Sequence, residues 1–259
     1  MSILLSEFDP SPALIEPAAG RFLAKEIPCP KTAVSTFPLE LFEEMIRLPG
    51  AVLIHELRNA GRKLPVYAVP YKDTTLAVYP TPVGAPAAVG TLEEIYAMGV
   101  QSVLVFGSCG VLDRQIADGG IILPTAALRD EGTSFHYAPP AEEIPLEPEG
   151  TALLEQLAKE LSLPCFKGKT WTTDAFYRET PDKIARRKAK GAIAVEMECA
   201  ALTACAAFRK KHFAQFLFAA DNLDAPAWDQ RGLALQGTHI RDQLLELAFE
   251  AALRMDRLF

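Results

Sequence analysis

The sequence predicts one α/β domain, a mixed or mainly parallel β-sheet flanked by helices. Apolar, β-branched runs alternate with amphipathic helical patterns almost throughout the chain. A length of 259 residues, 49% of them hydrophobic, is ample to bury a large core. No linker, internal repeat or low-complexity segment divides the chain.

In chain order, residues 1–35 are proline-rich and read as an extended N-terminal arm, with the α/β domain spanning 36–259. "PLELFEEMIRLPG" (38–50) has helical apolar spacing and stops at Pro49-Gly50. "LPVYAVPYKDTTLAVYPTPVG" (64–84) reads as two strands around a turn at Lys72-Asp73. A helix over "GTLEEIYAMGV" precedes the strand "QSVLVFGSCG", which runs straight into small residues. "GGIILPTAAL" (119–128) is a buried strand, "EGTALLEQLAKELSL" (149–163) an amphipathic helix, and "FKGKTWTTDAFY" (166–177) a strand. "TPDKIARRKAKG" forms a helix with Pro181 in its first turn. The strand "AIAVEM", the helix "CAALTACAAFRKKH", the strand "AQFLFAADN" and a helix from Gln236 to Leu258 complete the order.

Composition narrows the function classes. The net charge is −7 and the basic residues are scattered. The densest basic run, "ARRKAKG", suits a solvated helix face better than a nucleic-acid patch. No uninterrupted apolar stretch is long enough for a membrane helix, and the N-terminus lacks the pattern of a signal peptide. Five cysteines, odd in number and without CxxC spacing, point to a reducing cytoplasm rather than a disulfide framework or zinc site. The four histidines show no metal-ligand spacing, so no metal is expected.

Four predicted strand ends carry small or polar residues after an apolar run: "VFGSCG", "TTDAFYRE", "VEMECA" and "AADN". Ligands of open α/β sheets gather at such ends. The Gly107–Gly110 loop is either a tight turn or an anion site built from backbone N–H groups and the Ser108 hydroxyl. In "GAIAVEMECAAL", Glu198 either caps the following helix, with Glu196 in a salt bridge, or grips a vicinal diol with charge-assisted hydrogen bonds. Asp221 is either a turn or cap residue, or an acid whose pKa burial raises far enough to donate a proton near neutrality.

Taken together, "VFGSCGVLDRQIADGGIILPTAAL", "VEMECAAL" and "AADN", in this order and separation, resemble the nucleoside phosphorylase superfamily. That superfamily holds purine nucleoside and uridine phosphorylases and the nucleosidases of methylthioadenosine and S-adenosylhomocysteine. The resemblance covers about Pro65 to Leu258 and implies a single-domain phosphorylase/hydrolase-like fold assembled as dimers, often a trimer of dimers. It implies that Met197 packs on the ribose and Glu198 binds its 2′ and 3′ hydroxyls, with Glu196 beside them. Asp221 becomes the catalytic acid at purine N7, Phe176 stacks on the base, and Arg178 stands two residues beyond it. Ser108 and Gly84, the latter in "VGAP" (83–86), become phosphate contacts. The implied reaction is phosphorolysis of a nucleoside, with a purine favoured by Asp221, to free base and pentose 1-phosphate. It needs phosphate as co-substrate and no cofactor, and involves neither nucleic acid nor membrane.

Departures from the family pattern are also legible. Val105 stands where an Arg usually precedes the Gly-Ser pair, and no Gly-Asp-Pro-x-Arg phosphate loop is recognisable; "EFDPSPALIEP" (7–17) keeps only Asp9-Pro10. Arg62, Arg129 or Arg178, with His136, are the candidates to replace the missing cations. The alternatives are a uridine phosphorylase, a nucleosidase using water, and a nucleoside-binding homologue without catalysis. Cys109 and Cys199 read as small packing residues.

Overall fold

The computed structural model describes residues 3–17, 28–58, 61 and 63–259. Ten strands form one mixed sheet: β1 (Thr32–Thr36), β2 (Val52–Arg58), β3 (Lys63–Tyr71), β4 (Thr74–Pro80), β5 (Ser102–Val111), β6 (Ile121–Asp130), β7 (Glu143–Pro145), β8 (Cys165–Thr173), β9 (Ala192–Glu196) and β10 (His212–Asn222). The helices are α1 (Leu39–Met45), α2 (Ala85–Ala97), α3 (Pro148–Glu160), α4 (Pro181–Ala189), α5 (Cys199–Arg209) and α6 (Arg241–Leu258).

Strand β5 is the hub. Its first half pairs in parallel with β1, from Thr32↔Ser102 to Thr36↔Phe106. Its far end instead pairs antiparallel with β9, through Gly110↔Val195 and Val111↔Ala194. Along its other edge it runs parallel to β10 for nearly its whole length. Because β10 also pairs β6, β6 pairs β8 and β8 pairs β9, these five strands close on themselves. Strands β1, β4, β3 and β2 continue the sheet outward.

Alternation along β5 fills two cores. Val103 and Val105 face α2 and α5, packing with Leu92, Ile95, Leu202 and Cys205. Leu104 and Phe106 face α1, α3 and α6, packing with Leu41, Leu157, Phe216 and Phe249. A strand buried on both faces reads as a continuous apolar run, which explains why "SVLVF" carries no polar alternation. Helix ends follow local chemistry: Pro86, Pro148 and Pro181 sit in the first turns of α2, α3 and α4. Gly99, just past α2, takes the left-handed φ of +105° that ends the helix.

Several expectations need correction. The last residues assigned to an extended arm form β1, between β4 and β5 in the sheet. The prolines on either side of "TAVST" disguise a five-residue strand as irregular chain. Strand β2, antiparallel to β3 at the sheet's edge, adds to the predicted elements. Helix α2 starts at Ala85, not Gly90, and α6 starts at Arg241 after two 3-10 turns, since Gln236 and Gly237 both adopt positive φ. Strand β8 stops at Thr173, and Phe176–Arg178 is a 3-10 turn.

The rings of Phe106 and Phe216, neighbours in register, stack at 5.1 Å between centroids and are fully buried. Phe216→Ala is expected to cost about 3–5 kcal/mol of stability through the cavity it leaves. A urea unfolding curve measures this, and a loss under about 1 kcal/mol would contradict the packing described.

Candidate active site

The C-terminal ends of β5, β9 and β10 meet at Gly110. Its neighbours in register are Val195 on one side and Asp221 on the other. A side chain at Gly110 would lie 3.1 Å from Asp221 Oδ1, 3.2 Å from Val195 Cγ1 and 2.4 Å from Leu223 Cδ1. The glycine therefore lets two strand ends and their functional groups approach one point. Ser108, half-buried, lies two residues upstream on the same strand.

The two acids of "VEMECAAL" have different partners. Glu196, buried at the end of β9, accepts the Thr172 hydroxyl at Oε1 (2.6 Å). Its Oε2 accepts the N–H groups of Glu198 (2.7 Å) and Cys199 (2.6 Å). Glu196 is thus the cap of α5, satisfying N–H groups that the helix leaves unpaired. This overturns the capping alternative, in which Glu198 would cap and Glu196 would pair with a cation. Both Glu196 oxygens are engaged, so it ties β8, β9 and α5 together.

Glu198 is 5% exposed, and its Oε1 accepts one hydrogen bond, from the Gly84 N–H at 2.6 Å. Burial and the neighbouring Glu196 charge push its pKa up to about 8. Burial also raises Glu196, but the Thr172 hydroxyl and two N–H groups oppose it. Glu196 draws more donors than Glu198, whose opposing groups are the Gly84 and Met197 N–H groups, so the pair's negative charge belongs on Glu196. Gly84 has φ +97° at the start of α2, with nothing within 4 Å of where a side chain would stand. That turn aims its N–H at Glu198. Met197, half-buried, lies in the bend between the two acids.

Asp221 lies just past a bulge in the β5–β10 pairing. Burial raises its pKa, against the lowering effect of a 2.7 Å hydrogen bond from Trp228 Nε1 to Oδ2. Glu179 stands near enough that Asp221's charge, after burial, helps push it up to about 7. Cys109, between the charges of Asp221 and Glu196, is raised well above the usual thiol range by burial, which makes it an inert packing residue. Phe176 is half exposed and its ring packs on Tyr177 at 4.1 Å. Arg178 ends the same 3-10 turn at the surface.

The expected phosphate contacts are placed differently. Arg129 is buried, and its guanidinium donates to Ser134 Oγ (2.8 Å) and to the carbonyls of Pro139 (2.7 Å) and Ala138 (3.2 Å). Its commitment to that loop removes it as a free anion contact. Arg62 lies outside the described residues. Asp9 caps a local surface turn through Ser11 rather than a phosphate loop. Phe37 directly follows β1. The Phe37 ring occupies the space a side chain on Gly107 would take, 2.3 Å from where a β-carbon would stand.

A cavity of about 490 Å³ is lined by Pro86, Gly90, Gly132, His136, Tyr137 and Asp174 among others. Asp174 contributes to raising Glu198, which places the groove beside the acid pair. Among the described residues no group of three metal-ligating side chains converges, and no helix is long and apolar enough to cross a membrane. Sequence reasoning missed Thr172, Glu179 and Trp228. The "TWTTDAFYRE" stretch contained the first two, but nothing in the chain marked Trp228 as facing Asp221.

Residues 38–246 match the phosphorylase superfamily, and the chain belongs to it. It is 31% identical over 153 residues to a guanosine phosphorylase of Halorubrum lacusprofundi, covering 58% of this chain and 63% of that one. A DeoD-type purine nucleoside phosphorylase of Brevibacillus brevis is 27% identical over 208 residues, 76% of this chain and 84% of its own. A uridine phosphorylase of Escherichia coli is 30% identical over 141 residues, 49% and 56% respectively. The crystal structure of a purine nucleoside phosphorylase from Toxoplasma gondii with immucillin-H superposes with a TM-score of 0.77 at 20% identity. It covers 96% of this chain and 99% of that one, which establishes the α/β fold.

A raised Glu198 makes stability depend on pH. Between about 4.5, its ordinary value, and about 8, the folded protein keeps a proton that the unfolded chain has lost. Stability therefore falls as pH rises through that window. Glu198→Gln is expected to melt about 5 °C higher than the parent at pH 8.5 and at the same temperature at pH 4.5. Equal melting temperatures at both pH values in ligand-free protein would refute the burial of an ionisable Glu198.

Proposed function

We propose that the protein is a nucleoside phosphorylase, a pentosyltransferase that cleaves the N-glycosidic bond of a purine nucleoside with inorganic phosphate. The observation that carries this reading is the pair of acids on either side of β5. Glu198 is buried with the Gly84 N–H on one oxygen, and Asp221 is raised by burial beside Gly110. A buried carboxyl group with spare hydrogen-bonding capacity suits a vicinal diol, and an Asp whose pKa burial raises suits the protonation of a leaving base. The names of the relatives support both the reaction and a purine.

In this reading Glu198 accepts the ribose 2′ and 3′ hydroxyls while Met197 packs against the sugar. Glu196 positions Glu198 through the α5 cap and touches no substrate. Phe176 stacks on the base, with Arg178 at its rim. Phosphate, held by Ser108 and the Gly84 turn, attacks the anomeric carbon as the bond to the base lengthens. Asp221 protonates the base at N7, so the electrons of the breaking bond enter a neutral leaving group. Such catalysis needs positioning and charge stabilisation, not a covalent nucleophile. The reading includes a homo-oligomer built from dimers, no cofactor, and a cytoplasmic setting, which the five free cysteines support.

Hydrolysis is a second reading, favoured by one observation. Phe37 on Gly107, buried Val105 and the committed Arg129 give the anion side of the site an apolar wall. Guanidinium forks are hard to replace with apolar groups.

Purified protein assayed with inosine, adenosine, uridine and methylthioadenosine, with and without phosphate, decides between them. Base release only with phosphate is expected; equal release without it establishes hydrolysis, and nucleoside binding without release rules out both. Asp221→Asn is expected to lower purine kcat by about 10²–10³-fold with little change in KM. A preference for uridine, with this variant fully active on it, would remove Asp221 from the role of acid.

A further inference from the structure

We propose that Trp228 is the positioning residue for Asp221: its indole N–H holds one carboxylate oxygen and leaves the other to deliver the proton. This rests on the purine reading above.

The geometry begins at the end of β10. Asn222 and Asp229 pair across a loop, each donating its N–H to the other's carbonyl (2.8 and 3.2 Å). Leu223 N–H donates to the Val111 carbonyl at 2.9 Å, and Asn222 Oδ1 accepts the Asp224 N–H at 2.8 Å. The loop 223–228 is therefore pinned at its base to the strand that carries the site. Trp228, its last residue, folds back and donates to Asp221 Oδ2 at 2.7 Å. Asp221 Oδ1 lies over Gly110, 3.1 Å from where a side chain there would stand, and it is the oxygen that Trp228 does not hold.

The chain's other tryptophan behaves differently. Trp171 is fully buried and donates to Asp130, an ordinary core role. Trp228 is 58% exposed, so its ring gains little from burial. Its one polar group is nevertheless fixed on the residue placed to act as acid.

The hydrogen bond also acts in the right direction during the reaction. As the bond between the anomeric carbon and the base breaks, its electron pair passes to the base. A new bond from phosphate oxygen to the anomeric carbon forms on the opposite face. The Asp221 Oδ1 proton moves to N7, and Asp221 becomes a carboxylate that is later reprotonated from solvent. A donor on Oδ2 strengthens as that charge appears, so Trp228 stabilises the transition state more than the ground state. Other charges facing Asp221 are Glu179 and Asp229, which oppose its ionisation, and Arg231, which favours it. Arg231 is itself tied to Asp229 and to the Ile116 carbonyl.

The test compares two substrates. Inosine needs its leaving group protonated, whereas 7-methylinosine already carries the positive charge at N7 and needs no acid. Trp228→Phe, which keeps an aromatic ring at a largely exposed position, is expected to lower kcat on inosine about tenfold. On 7-methylinosine the change should stay within about twofold. The alkaline limb of the inosine profile should move to higher pH, because removing the donor raises the Asp221 pKa. Asp221→Asn must discriminate between the substrates in the same sense. If it does not, the acid reading fails; if it does and Trp228→Phe slows both substrates equally, the positioning role fails.

A second measurement does not need turnover. The fluorescence difference between the parent and Trp228→Phe isolates Trp228, and it should titrate with Asp221. That titration should vanish in Asp221→Asn and survive in Glu179→Gln. Persistence in Asp221→Asn would overturn the proposed contact.

Discussion

The carboxylate of Glu196 joins three elements at one buried point. It ends β9, accepts the Thr172 hydroxyl from the adjacent β8, and caps α5 through the Glu198 and Cys199 N–H groups. Thr172 completes the junction by accepting the Ala200 N–H at 3.0 Å. A charge buried this deeply is tolerable only with such a set of donors. Glu198 beside it is raised first by its own burial and further by this negative charge held at the helix cap, against the Gly84 N–H on its Oε1.

The other constraint is the change of partner along β5. Paired with β1 at its start and with β9 at its end, it leaves a break in pairing at Gly107–Cys109 on that edge. Gly107 opens the break and Gly110 follows it, and each admits a group from elsewhere in the chain. Phe37 lies against the first and Asp221 against the second. One side of the site is thus apolar and the other acidic. The superfamily's fold is kept around this arrangement.

Much of the architecture is legible in the sequence because periodicity and turn chemistry are local. The α/β order, the two strands around Lys72-Asp73 and the helix opening at Pro181 follow from spacing and proline placement. The short strand β1 is hidden by flanking prolines, and the edge strand β2 has too weak a pattern to stand out. In the site, "VEMECAAL" and "AADN" mark Glu198 and Asp221 because acids inside apolar runs are costly without a reason. Which of Glu196 and Glu198 caps α5 is not legible, since either side chain can reach a helix start.

The sequence by itself determined the fold class, the family and the acids at the strand ends, all of which depend on residue type and local spacing. Only the tertiary structure decided how those groups are used. Trp228 reaches Asp221 because a loop is pinned across Asn222 and Asp229. Arg129 is withdrawn because its own loop carbonyls surround it. Phe37 fills the anion side because β1 lies beside β5. These are contacts between segments distant in the chain or folded back on themselves, and no local pattern encodes which donor finds which acceptor.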